Sequence, residues 1–208
     1  MSNFREQCET DDITDNTKKY IFLDYLNKLI YEQLHETREH TFRIEKLALS
    51  IGKFLNLNTD ELNTLSHVAR FHDIGKIVLP KDLLQKTDYL TTDESKLLKR
   101  HPIYGYHIVN KIPGFQDIAR GILYHHERWD GNGFPYKLKG EEIPISSRIV
   151  NIVNFFDVLT HYRSYKLSPD QAIDELIFGS RYQFDPDIVT KLINTNFIHK
   201  IVCENLET

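Results

Sequence analysis

Imidazoles and carboxylates gather in four short clusters along this chain of 208 residues. Glu36 precedes His40 by four residues, His72 adjoins Asp73, His101 stands beside Pro102, and His125 adjoins His126. On a helix, Glu36 and His40 face one side, so a carboxylate and an imidazole can reach one ion. Neighbours such as His72 and Asp73 would point about 100° apart on a helix, so both can serve one site only near a helix end or between two metals. That geometry favours a multinuclear centre. Imidazole and carboxylate donors without thiolate suit iron, manganese or zinc and exclude cysteine-rich structural zinc sites. Any single histidine of the set, His101 above all, could be a hydrogen-bonded packing residue; the conjunction of clusters in an otherwise ordinary helical protein favours a metal site. His35, His67, His107, His161 and His199 have no such surroundings and read as surface or packing residues. Close behind His125-His126 comes Gly131-Asn132-Gly133-Phe134-Pro135. Its glycines allow positive backbone dihedrals and close approach while Pro135 stiffens the exit, so this loop can wall a site without filling it.

Helices must carry these clusters. Phe22, Tyr25, Leu26, Leu29, Ile30 and Leu34 recur at three and four residues, and Phe42, Ile44, Leu47, Ala48, Ile51, Phe54 and Leu55 continue that spacing, which predicts two amphipathic helices. Asn58 with Glu61 reads as a capping box opening a helix through Leu62, Leu65, Val68, Ala69 and Phe71, with its end around Gly75 and Pro80. Thr91 with Glu94 repeats the signature, and Ser168 with Pro169 and Gln171 gives it again with proline at the first helical position. A Gly/Pro-rich loop over Arg128–Pro144 interrupts the pattern before a helix through Ile149, Ile152, Val153, Phe156, Val158 and Leu159, and the short apolar run Ile143 to Ile145 also reads as loop. Asp185-Pro186 caps a last helix toward His199. Strand signals are thin, and the fold class read from the sequence is an all-α helical bundle.

Composition narrows the function. A chain 40% hydrophobic and 27% charged can bury one substantial core, and a formal charge of -4 leaves no global basic field for long nucleic acids. An anionic ligand must therefore meet local cations. No apolar run is long enough for a membrane helix, and the acidic, polar start is unlike an export signal, so the expectation is a cytosolic protein without membrane contact. Cys8 and Cys203 lie near opposite ends and read as free thiols. Residues 1–17 read as a flexible tail and 18–208 as one domain.

The run His72-Asp73-Ile74-Gly75-Lys76 resembles the HD signature of metal-dependent phosphohydrolases, and His125-His126-Glu127-Arg128-Trp129-Asp130-Gly131-Asn132-Gly133-Phe134-Pro135 resembles the defining stretch of the HD-GYP family. Glu36-x-x-x-His40-x-x-Arg43, His101-Pro102-Ile103-Tyr104-Gly105, Gly140 to Pro144, Arg148-Ile149-Val150 and Arg163-Ser164-Tyr165-Lys166 extend the likeness over about Glu36 to Asp187. The resemblance implies an HD-type helical bundle, with the Gly/Pro-rich loop near the metal site, that hydrolyses a cyclic dinucleotide second messenger of bacteria: cyclic di-GMP, or cyclic GMP-AMP. It implies two or three divalent ions, iron or manganese, held by Glu36, His40, His72, Asp73, His101, His125 and His126. Lys76 and Asp73 are the implied catalytic residues. Lys76, with Gly133, Phe134, Arg163 and Lys166, is implied to bind the substrate and its phosphates. Protein partners are possible and unspecified.

Two positions depart from the family pattern. Phe134 stands where the family has tyrosine, keeping the ring and losing a hydroxyl. Asn154 stands where the family has its closing aspartate ligand, while Asp157 matches the second aspartate of that helix. An amide oxygen can coordinate a hard cation, but it is neutral and a weaker donor. An alternative expectation is therefore a degenerate protein that binds nucleotide or a partner without turnover; a phosphohydrolase acting on a mononucleotide fits the long signature less well. Asn154→Asp separates these readings. In a weakened enzyme it is expected to raise metal occupancy and to increase cyclic dinucleotide hydrolysis severalfold, followed by metal analysis and product chromatography. A fully metallated Asn154→Asp protein that cleaves nothing would leave only the binding role.

Overall fold

The computed structural model describes residues 21–30, 32, 38–162, 166–195 and 197–198. The described chain is helical: α1 (residues 21–30), α2 (Arg38–Phe54), α3 (Thr59–Phe71), a 3-10 turn (Ile74–Val78), α4 (Lys81–Leu84), α5 (Thr92–Leu98), α6 (His101–Val109) and α7 (Gln116–Tyr124). A 3-10 turn (Gly140–Glu142), α8 (Ile145–Asp157), a π-helical turn (Val158–Tyr162), α9 (Pro169–Gly179) and α10 (Pro186–Asn194) follow. Among the described residues the β-structure is an isolated bridge between Ser180 and Phe184, in line with the all-α reading. The expected tail, Glu36 and Arg163 lie outside the described residues.

The helices begin where their caps dictate. Asn58 accepts from the backbone N–H groups of Asp60 and Glu61 while the Glu61 carboxylate accepts from the Asn58 N–H. Thr91 with Glu94 and Ser168 with Gln171 do the same, and Asp185 caps α10 through the N–H groups of Asp187 and Ile188. Each cap contributes about 1 kcal/mol by satisfying donors that the helix itself cannot.

Packing draws α2, α3, α7 and α8 together, with α6 laid against α7 and the 3-10 turn Ile74–Val78. Ile44, Ala48 and Ile51 of α2 meet Leu65, Val68 and Ala69 of α3, Ala119 and Ile122 of α7, and Ile149, Ile152 and Val153 of α8 in one buried core. Burying an Ile, Leu or Val side chain contributes roughly 1.5–3 kcal/mol, so this apolar contact is what holds the bundle. A polar clasp joins α2 to α3 at the rim, where the Glu45 carboxylate takes Arg70 Nη2 at 2.6 and 2.8 Å and the Ser66 hydroxyl at 2.5 Å.

Two boundaries differ from the sequence reading. The helix expected to run to about Gly75 stops at Phe71, because the next residues tighten into the 3-10 turn. Gly75 packs directly on α6: a Cβ there would overlap the His101 carbonyl oxygen and lie 2.5 Å from the Gly105 nitrogen. The early stop carries His72 and Asp73 past the helix end, as two adjacent ligands of one site require. Ile145 opens α8 instead of lying in the loop, and the pattern through Leu159 passes from α-helix to π-turn after Asp157. α10 spans Pro186–Asn194 from its expected Asp185 cap, and His199 lies outside the described residues.

Gly75→Ala should lower unfolding free energy by about 2 kcal/mol or more, since backbone and not a flexible side chain blocks the added methyl. Urea denaturation measures this, and an unchanged midpoint would mean that α6 can move away freely.

Candidate metal centre

The histidines of the site sit at helix ends. His72 follows the last residue of α3, His125 follows the last residue of α7, and His101 opens α6 directly after the end of α5. Each gives Nδ1 to a carbonyl three residues back: His72 to Ala69 at 2.9 Å, His101 to Leu98 at 2.8 Å, and His125 to Ile122 at 2.6 Å. A carbonyl only accepts, so each Nδ1 must carry the proton. With Nδ1 protonated, a neutral ring carries its lone pair on Nε2. The same bonds satisfy carbonyls left open at the helix ends.

Those Nε2 atoms converge on Asp73. His101 Nε2 lies 3.1 Å from Asp73 Oδ1 and 3.3 Å from His125 Nε2, and His72 Nε2 lies 3.4 Å from Asp73 Oδ2. His126 joins through ring contacts, 4.0 Å from His125 and 5.0 Å from His101 between centroids. One donor atom from each of Asp73, His101, His125 and His126 falls within 4.8 Å of the others. Acceptors therefore face acceptors in a buried place. A proton on His101 could relieve one of these contacts, whereas a cation relieves all of them, so the donor set fits a divalent ion.

Electrostatics keep the ligands ready. Burial, followed by the neighbouring His126, His101 and His72, holds the His125 imidazole well below its usual pKa, against a smaller pull from Asp73. Burial, then His101, lowers His126 to about 3. Both rings are thus neutral, with lone pairs available, at physiological pH. Burial pushes the Asp73 carboxyl up, but the opposing contributions, the Lys76 ammonium largest among them, hold it well below the carboxylate range. Lys76 Nζ lies 2.5 Å from Asp73 Oδ2.

A second buried carboxylate organises the far end. Asp157 accepts His40 Nδ1 at 2.7 Å, takes Arg43 Nε at 2.6 Å and Nη2 at 3.1 Å, and lies 3.2 Å from His161 Nδ1. Its pKa falls even though burial opposes this, because the hydrogen bonds from His40 and Arg43 win. Asp157 thereby fixes the His40 ring with Nδ1 outward, and the ring sits 6.1 Å from His72. Asn151, Asn154 and Asp157 share one face of α8. Asn151 donates to the Glu127 carbonyl at 2.7 Å and Asp157 reaches His40, so Asn154 lies between two anchors that border the cluster.

The signature loop walls the other side. Glu127, buried directly after His126, accepts the Tyr136 and Leu138 N–H groups at 2.7 and 3.1 Å, and burial raises its pKa against those bonds. Gly131 has φ +80, whereas Gly133 serves close approach: a Cβ there would lie 2.5 Å from Glu127 Cα. Phe134 stacks on His126 at 4.8 Å and 25°, and Lys99 Nζ lies 5.5 Å from the Phe134 ring centroid.

Of the residues singled out in the sequence, His40, His72, Asp73, Lys76, His101, His125, His126, Gly133 and Phe134 form a connected group; Lys166 is exposed near His161, whose protonated form it disfavours. His161, read as surface or packing, touches Asp157. The sequence assigns no role to Glu127 or Lys99, although one adjoins His126 and the other precedes His101 by two residues.

The HD domain family model matches residues 24–188. A 3'3'-cGAMP-specific phosphodiesterase of Vibrio cholerae is 30% identical over 186 residues, covering 88% of this chain and 35% of that protein. A cyclic di-GMP phosphodiesterase of Thermotoga maritima is 35% identical over 171 residues, covering 80% and 46%. This chain thus spans less than half the length of these two relatives. A solved HDG"Y"P protein from Bdellovibrio bacteriovorus shares the fold with a TM-score of 0.65 at 20% identity, over 90% of this chain and 66% of that one. Among the described residues no helix is long and apolar enough to cross a membrane.

Asp157→Asn should leave the bundle folded and weaken metal binding roughly 10–100-fold, the usual loss when a carboxylate behind a ligating imidazole is removed. Titration with Mn(II) checks this, and an unchanged affinity would make Asp157 a packing residue only.

Proposed function

The chain belongs to the HD domain family, and from that premise we propose that it is a metal-dependent phosphodiesterase that opens a cyclic dinucleotide, cyclic di-GMP or 3'3'-cyclic GMP-AMP. The observation that carries the reading is the convergence of Nε2 lone pairs on Asp73, which calls for a cation. Glu36, His40, His72, Asp73, His101, His125, His126 and Asn154 would hold two or three divalent ions, with iron or manganese suited to this nitrogen and oxygen set. When bound, such ions supply Lewis acidity, lowering the pKa of water and offsetting charge that builds on phosphoryl oxygens.

The chain's own residues do the positioning. Lys76 stands over Asp73, so a phosphate arriving at the cluster meets its ammonium, a point charge suited to phosphate and a poor ligand for metal. The carbonyls of Ala69, Leu98 and Ile122 keep the rings from turning. Phe134 covers one face of His126 and limits water there, while Glu127 holds the loop that carries it. Arg163 and Lys166 would grip phosphate. Asn154 favours a second reading, a nucleotide-binding protein without turnover, because it removes one anionic donor.

Protein loaded with Mn(II) or Fe(II) should convert cyclic di-GMP or 3'3'-cyclic GMP-AMP to the linear dinucleotide, and a chelator should stop it. Asp73→Ala should lose both metal and turnover, whereas Lys76→Ala should keep metal and lose turnover or affinity. Metal-loaded wild type that binds either nucleotide without cleaving it would establish the second reading.

A further inference from the structure

We propose that Lys99 is a specificity-determining residue, binding the non-scissile phosphate of the cyclic dinucleotide; this rests on the phosphodiesterase reading above. Lys99 directly follows α5 as its cap, and His101 comes two residues later with its Nδ1 on the Leu98 carbonyl. Ligand and lysine are therefore placed by the same piece of backbone. The side chain is exposed, and its Nζ lies over the Phe134 ring at 5.5 Å. That ring in turn stacks on His126, which puts the ammonium two contact distances from a metal-ligating imidazole.

The charge of Lys99 is unspent. Among the described residues no carboxylate pairs with it, in contrast to Lys76 on Asp73 and Lys86 on Glu94. An exposed cation held over an aromatic face is weakly held, and a phosphate oxygen offers it a stronger, charge-assisted bond. The chain as a whole is acidic, with a formal charge of -4, so nothing but local cations can hold a doubly charged ligand. A cyclic dinucleotide carries two phosphates. Lys76 serves the one at Asp73, and a chain of ring contacts runs from His40 through His72, His125 and His126 to Phe134. Lys99 stands at the Phe134 end of that chain, where the second phosphate would project beyond the metal ligands.

The test compares Lys99→Met and Lys99→Arg with wild type, all loaded with Mn(II), on a cyclic dinucleotide and on bis(p-nitrophenyl) phosphate, which has one phosphate. Lys99→Met should raise KM for the cyclic dinucleotide about tenfold and lower its kcat/KM far more than that for the small diester, with Lys99→Arg recovering most of the loss. Equal losses on both substrates, or none on either, would overturn the assignment and make Lys99 a cover for Phe134. Wild type that hydrolyses the small diester and no cyclic dinucleotide would overturn the cyclic dinucleotide reading itself, and the Lys99 assignment with it.

Discussion

A helix leaves its last carbonyls without partners, and in this protein three such carbonyls are met by histidine side chains. Ala69, Leu98 and Ile122 accept Nδ1 protons from His72, His101 and His125. Each bond closes a helix end and fixes a tautomer at once, turning the remaining nitrogen inward as a lone pair. Three helices ending at one place thus create a buried pocket of acceptors around Asp73. Neutral imidazoles, kept so by burial, are the form that can ligate. The ring orientations, the low pKa values and the demand for a cation all descend from where α3, α5 and α7 stop.

Bringing those ends together leaves little room, and the backbone supplies it. Gly75 lets the 3-10 turn after α3 touch the start of α6, and Gly133 lets the signature loop fold back onto Glu127. Glu127 then ties that loop through two backbone donors, and Trp129 and Asp130 give their N–H groups to the carbonyls of Gln183 and Tyr182 between α9 and α10. The loop beside His126 is therefore held from both sides, and Phe134 keeps its face on the imidazole. Arg148, bound to Asp185 at 2.6 Å and lying over Trp129 at 5.8 Å, joins α8 to the same strap.

Helix starts were legible because capping is local: Asn58, Thr91, Ser168 and Asp185 each act within three residues of themselves. Helix ends were less so. What stops α3 at Phe71 is the approach of α6 to Gly75, a contact between residues distant in sequence. His72, Asp73, His101, His125 and His126 were readable as ligands from residue type and clustering, and they meet as that reading requires. Partnerships across the fold left no local pattern. Asp157 finds His40 from 117 residues away, Lys99 finds Phe134 through the turn between two helices, and His161 reaches Asp157 by way of a π-turn that apolar periodicity does not announce. Glu127 lies within the signature itself, yet its task of holding Tyr136 and Leu138 shows only once the loop has closed.

The charge around the proposed ions follows from α8. Asp157, one turn beyond Asn154, could in principle replace the missing carboxylate, but its two oxygens already serve His40, Arg43 and His161. Turning it inward would strand the Arg43 guanidinium and release His40, removing one donor in order to add another. Breaking such a buried ion pair costs several kcal/mol, so Asp157 stays where it is. In the proposed set Asn154 would be a neutral donor at most, and the carboxylate charge would rest on Asp73 and Glu36. Fewer anionic donors bind an ion less firmly and neutralise less of its charge, which leaves it the stronger Lewis acid. In the proposed enzyme the same amide would weaken metal retention and leave a bound ion the stronger Lewis acid.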